Sequence, residues 1–172
     1  MTNIKLFKSV NKLISTTTLS LLVLLLPSQL SAQTLTNFSG TWVFDISKSI
    51  PAKNGSFLYS NIIHTIKQNP VSISIEETII RQGSDNVVSI EVFNLDGKEK
   101  IERKDYATTK KIANWSQDKK ILKLTTIMTT DSKDYRADAT YSLSDNGNIL
   151  TVKTLFKNPT GESTVIQVFN KK

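Results

Sequence analysis

YRADATYSLSDNGNILTVKTLF, residues 135–156, alternates on either side of a polar centre. In extended chain, Tyr135, Ala137, Ala139, Tyr141 and Leu143 share one side, and Arg136, Asp138, Thr140 and Ser142 take the other. After DNGN the pattern resumes, with Leu150, Val152, Thr154 and Phe156 opposed to Ile149, Thr151, Lys153 and Leu155. Period two is the mark of a half-buried strand. Asn and Gly tolerate the positive φ that a tight reversal needs. The stretch predicts two antiparallel strands joined by one turn.

The same grammar extends outward in both directions. Strands are predicted at GTWVFDIS (40–47), NIIHTIK (61–67), VSISIEETII (71–80), VVSIEVFNL (87–95), KEKIERKDY (98–106), KIANW (111–115), KILKLTTIMTT (120–130), YRADATYSLS (135–144), ILTVKTLF (149–156) and STVIQVF (163–169). Polar turns separate them, and Asp96–Gly97 is a hairpin signal between two extended runs. In 120–130, Leu122, Leu124, Thr126 and Met128 make the inner face. No sustained helical period follows residue 32, although one short helical turn fits within the 48–60 loop. Short strands at intervals of roughly 8–12 residues signal a sandwich or barrel. Hairpin-length connections favour an up-and-down meander, and closing it removes the exposed edges. The expected fold is all-β, an antiparallel meander closed into a lipocalin-like barrel of about eight to ten strands.

The first 32 residues stand apart. MTNIKLFKSVNK carries Lys5, Lys8 and Lys12 and no acid; an apolar run from Leu21 to Leu26 follows, ended by Pro27, with Ser31–Ala32 as a small-residue cut. This is the pattern of a cleaved Sec-type signal, giving residues 1–32 as leader and 33–172 as one domain in the periplasm or outside the cell. The run is short for a membrane helix. Without cysteine there is neither an N-terminal lipid anchor nor a disulfide, so stability rests on packing. Losing three lysines lowers the formal charge of +7 to a mild +4. An outer-membrane barrel would need an outward apolar band with aromatic girdles, but these strands carry Lys, Arg, Asp and Glu on that side. The chain is not expected to span a membrane.

FSGTW (38–42) brings a resemblance into view. Gly40 and Trp42 match the G-x-W of the first strand of lipocalins and related calycin barrels. Further matches are Asp45, Lys48 and Ser49; Asp96 to Glu99; Trp115 with Asp118; Tyr141 to Ser144 with Asn146, Gly147 and Leu150–Val152; and Val168, Phe169 and Lys171. Together they resemble small secreted lipocalin-like domains of bacteria over about residues 38–171. The resemblance implies an exported antiparallel barrel, and no activity. Gly40 lets the chain enter the strand tightly, and Trp42 plugs one end. Lipocalins also place a basic residue of the last strand over that Trp, whereas the expected last strand, 163–169, holds no Arg or Lys. Intracellular fatty-acid-binding barrels are similar in strand number, but their two helices after the first strand and their R-x-Y are missing here.

Candidate site residues follow from phase. His64, the sole histidine, shares phase with Ile62 and Ile66. With no Cys, one His makes a zinc site improbable, so no metal is expected. Glu77 lies in phase with Ile73, Ile75 and Ile79; an acid on an apolar face is paired, at a rim, or in contact with a ligand. Arg103 is a candidate partner for it. There is no nucleophile elbow, phosphate-cradling loop or calcium loop, so neither catalytic residues nor a cofactor are assigned. Residues 98–123 hold nine basic against four acidic side chains, but lack the interleaved aromatics of a nucleic-acid surface. The leading reading is an exported barrel holding a small apolar or amphipathic ligand. Phe57 and Tyr59 would act as lid contacts, and Tyr135, Tyr141, Trp115 and His64 would line the cavity. The alternatives are an envelope or extracellular protein-interaction module with a filled core, its partner unidentified, and a cavity enzyme such as an isomerase using Glu77.

Overall fold

Ten strands follow one another: β1 (Gly40–Phe44), β2 (Ile62–Gln68), β3 (Ser72–Ile79), β4 (Val87–Asn94), β5 (Lys100–Lys104), β6 (Ala107–Trp115), β7 (Leu122–Thr130), β8 (Lys133–Leu143), β9 (Ile149–Asn158) and β10 (Gly161–Lys171). They come from a computed structural model that describes residues 34–53 and 55–172. The expected leader, 1–32, and the cut before Gln33 lie outside the described residues.

Turn chemistry sets the meander. Between β8 and β9 the Asn146 side chain accepts from the Asn148 amide, Ser144 Oγ accepts from the Ile149 amide, and Gly147 takes φ 70°. Asp118 and Ser116 play the same parts between β6 and β7, where Lys119 supplies the positive φ of 57°. Side chains that fold onto nearby amides preorganise such reversals. Among the described residues the helical structure is one 3-10 turn, Ile46–Lys48, capped by Asp45 at the entry to the long β1–β2 connection.

All ladders are antiparallel, in the order β4-β3-β2-β1-β10-β9-β8-β7-β6-β5. First and last strands therefore pair, and the meander wraps into a barrel. The ends of the sheet face each other: the Lys111 ammonium of β6 lies 5.6 Å over the Phe93 ring of β4.

Two expectations are corrected here. Asp96–Gly97 does make a turn, with Gly97 at φ 74° and the Lys98 amide donating to Asp96, but β4 and β5 do not zip into a hairpin. The inward side of β5 is Lys100, Glu102 and Lys104, and these charges resist burial, so the seam stays open. The last strand also runs two residues beyond Phe169, to Lys171.

The core lies toward one end. Trp42, Phe38, Phe93, Phe169, Ile66, Ile73, Leu122 and Leu150 are fully buried there. A strap closes that end from below: the Thr36 amide donates to the Lys119 carbonyl, the Phe38 amide to Gln68 Oε1, and Gln68 Nε2 to the Thr36 carbonyl.

Candidate ligand-binding site in the barrel interior

The closed end is built around Trp42. Its indole N–H donates to the Phe38 carbonyl at 3.0 Å, so the ring is both packed and satisfied. Phe38 stacks on Trp115 at 6.0 Å and meets Tyr141 edge-on at 6.1 Å. Lys171, directly opposite Trp42 in the β1–β10 ladder, places its ammonium 5.4 Å over the indole. The basic residue over the Trp is therefore present, in the strand extension that alternation alone does not reveal.

One layer up, apolar packing gives way to a polar pair. His64 and Glu77 are directly opposite in the β2–β3 ladder, and His64 Nε2 lies 3.0 Å from Glu77 Oε2. The imidazole is 4% exposed and stacks on Phe169 at 4.3 Å. Its Nδ1 is buried without a partner, as is Trp115 Nε1. A buried polar atom left unpaired costs about 1–3 kcal/mol. Tyr141, buried, has its phenol pushed well above the ordinary range, first by burial and then by the nearby Glu91 and Glu77 carboxylates.

Toward the other end the inward residues become small and then wet. The register turns Thr126, Ala137, Ala139, Thr154 and Val165 inward on β7–β10, above the bulky layer. Beyond them Met128, Tyr135 and Phe156 share the same face, 39%, 40% and 43% exposed. The side chain of Glu77 is 34% exposed, although it too points inward. Solvent thus reaches the interior from this end and along the β4–β5 seam.

The sequence-predicted residues divide accordingly. Gly40 opens β1 at φ 146°, and Trp42 is fully buried at the closed end. Phe57 packs edge-on against Phe44 at 5.1 Å, and Tyr59 is partly buried beneath Arg81, whose guanidinium sits 5.5 Å over its ring. Both belong to the long connection at the open end. Tyr135 stands at the mouth. Trp115 and Tyr141 join the floor, because the twist of the sheet brings them to Phe38. Arg103 lies on the outward side of β5, opposite Thr108, and is exposed; the partner of Glu77 is His64. The phase of Arg103 with Ile101 misled, since Ile101 is itself 41% exposed on the outer surface. Phe38, Lys111 and Glu91 were missed. Phe38 precedes the first strand and carries no periodic signal, and the other two acquire their setting from the seam.

The chain matches no model of a known protein family and no curated protein. Among solved structures it is similar to the zebrafish ileal bile acid-binding protein complexed with cholic acid, at 17% identity and a TM-score of 0.51, covering 80% of this chain and 100% of that one. The likeness is one of fold. Ten antiparallel strands in a nearly closed meander, with a buried Gly-x-Trp strand at one end, make an up-and-down barrel of lipocalin-like fold.

Proposed function

We propose that the chain is an exported binding protein that holds a small hydrophobic or amphipathic ligand inside the barrel. The observation that carries this reading is the gradient of the inner face, from fully buried aromatics around Trp42 to small and then solvent-reached residues at the other end. Barrels of about eight strands or more have room for one small ligand when side chains do not fill them. The zebrafish barrel of the same fold was solved with cholic acid, itself such a ligand. Phe57, Tyr59 and Tyr135 would meet the ligand at the mouth, and His64 and Glu77 would meet it at depth. Export rests on the leader-like residues 1–32, and kinship with secreted bacterial domains rests on the motifs of residues 38–171.

Solvent extraction of the purified protein with mass spectrometry, followed by titration with a lipid panel, tests the reading. A co-purifying amphiphile or saturable one-to-one binding is expected. Neither being found would overturn it. N-terminal sequencing of the exported protein should begin at Gln33; a chain retained uncut in the cytoplasm would refute the address.

A second reading has its own observation. Val88, Ile90 and Val92 form an exposed apolar row on the outer face of β4, beside the open seam. Such a row suits a protein-interaction module. Replacing all three by Ser would leave ligand binding intact while abolishing association, if that reading holds.

A further inference from the structure

We infer that β4 pairs edge to edge with β4 of a second copy of this chain, antiparallel about a two-fold axis at Ile90. This rests on the exposed β4 row being an interaction surface, and it names the partner.

The edge is bare. Among the described residues β4 pairs with β3 alone, and Val88 to Val92 are all exposed, so β5 does not cover them. The Leu95 amide donates to the Val71 carbonyl, one step beyond the Ser72–Asn94 pair. Hydrogen-bonded pairs alternate along an antiparallel ladder. Phe93, Glu91, Ser89 and Val87 therefore turn their backbone groups to β3. Val88, Ile90, Val92 and Asn94 turn theirs to the open side.

The edge is also unguarded. Natural sheets protect an edge with lysine, proline, a bulge or a very short strand. Val87–Asn94 contains no Lys, Arg or Pro, runs eight residues and keeps an unbroken register with β3. The other edge, β5, is five residues long and carries Lys100, Arg103 and Lys104.

Finally, the edge is self-complementary. Directly opposite residues of an antiparallel pair share a face. With Ile90 opposite Ile90 of the second copy, Val88 meets Val92 and Val92 meets Val88. The outer row, 55%, 60% and 39% exposed at Val88, Ile90 and Val92, is then covered by an identical row. On the inner face Glu91 meets Ser89, so the two carboxylates are not directly opposed. Sliding the register by two residues sets a valine against Asn94 or Asn86.

Analytical ultracentrifugation of the purified protein tests this. One strand edge is small beside a standard interface of roughly 800 Å² per partner, so a reversible dimer that grows with concentration is expected. In the monomer, which dominates on dilution, the edge stays free. Ile90→Lys places two ammoniums opposite each other and should raise the dimer dissociation constant at least tenfold, with circular dichroism unchanged. The chain has no cysteine, so Ile90→Cys reports the register. Opposite Cα atoms about 5.5 Å apart are within disulfide reach, and mild oxidation should trap a covalent dimer. Ile101→Cys, on the outer side of β5 and 41% exposed, should trap none.

A chain that stays monomeric at every concentration overturns the inference and leaves the row to a different protein. So does a dimer that Ile101→Cys traps as readily as Ile90→Cys. A dimer untouched by Ile90→Lys removes β4 from the interface, and the interaction reading of the row falls with it.

Discussion

At the scale of single residues, the contact between Gly40, Trp42 and Lys171 explains the Gly-x-Trp pair. Gly40 sits at φ +146°, and a Cβ there would meet Lys171 Cε at 3.3 Å and Trp42 Nε1 at 3.6 Å. Only a residue without a side chain lets the lysine stem lie across the indole. Gly40→Ala should therefore destabilise the barrel by about 1–3 kcal/mol, the cost of a strained backbone site, read as a lower urea midpoint with unchanged slope. Asp138 shows how a charge is managed on the outer face. Its carboxylate is 9% exposed, takes two bonds from Arg136 at 2.7 and 3.0 Å and one from Thr125 at 2.7 Å, and lies 3.3 Å from Lys123. The Arg136 guanidinium, above all, holds it well below the usual carboxylate range. A depressed native value adds stability above the unfolded value and loses it as pH falls. Unfolding free energy should thus decline below about pH 4. Asp138→Asn should be flatter in that window, and less stable at neutral pH by about 1–3 kcal/mol.

At the scale of elements, turns and seams carry the information. The β7–β8 hairpin closes on two residues, Asp131 at φ 47° and Ser132 at φ 60°. Both angles belong to the turn type that normally recruits Asn-Gly. Ser132→Gly should relieve the strain and raise stability by roughly 1 kcal/mol, measurable as a higher thermal midpoint. The Asp45, Lys48 and Ser49 pattern also finds its reason in tertiary pairing. Ser49 Oγ accepts from the Val168 amide at 2.8 Å and donates to the Asp45 carbonyl at 2.7 Å, while Asp45 takes Asn170 and Lys48. These bonds tie the start of the long connection to β10. Ser49→Ala would orphan the Val168 amide and cost about 1–2 kcal/mol in equilibrium unfolding.

At the scale of the molecule, the barrel is unequal around its circumference and along its axis. The β8–β9–β10 ladders are long, while β4 and β5 each leave one edge unpaired. Local opening follows such differences. Amide hydrogen exchange should be fast along β5 and the free edge of β4 and slowest in β9 and β10; uniform protection would mean that the seam closes in solution. Along the axis, an aromatic floor and an open mouth bracket a middle layer where His64 and Glu77 pair.

Residue order by itself determined the meander of about ten strands, the two-sided split of β8 and β9 and the inner face of β7. These depend on period-two alternation and local turn chemistry, which act over a few residues. It did not determine that Glu77 faces His64 rather than Arg103, that Trp115 and Tyr141 belong to the floor, or that Lys171 covers Trp42. Nor did it disclose that Asp96–Gly97 joins strands that never pair. Those outcomes depend on register between strands and on the closure of β1 onto β10, where residues more than a hundred positions apart become neighbours. Alternation sets which side a residue takes, and only the closed sheet sets what it meets there.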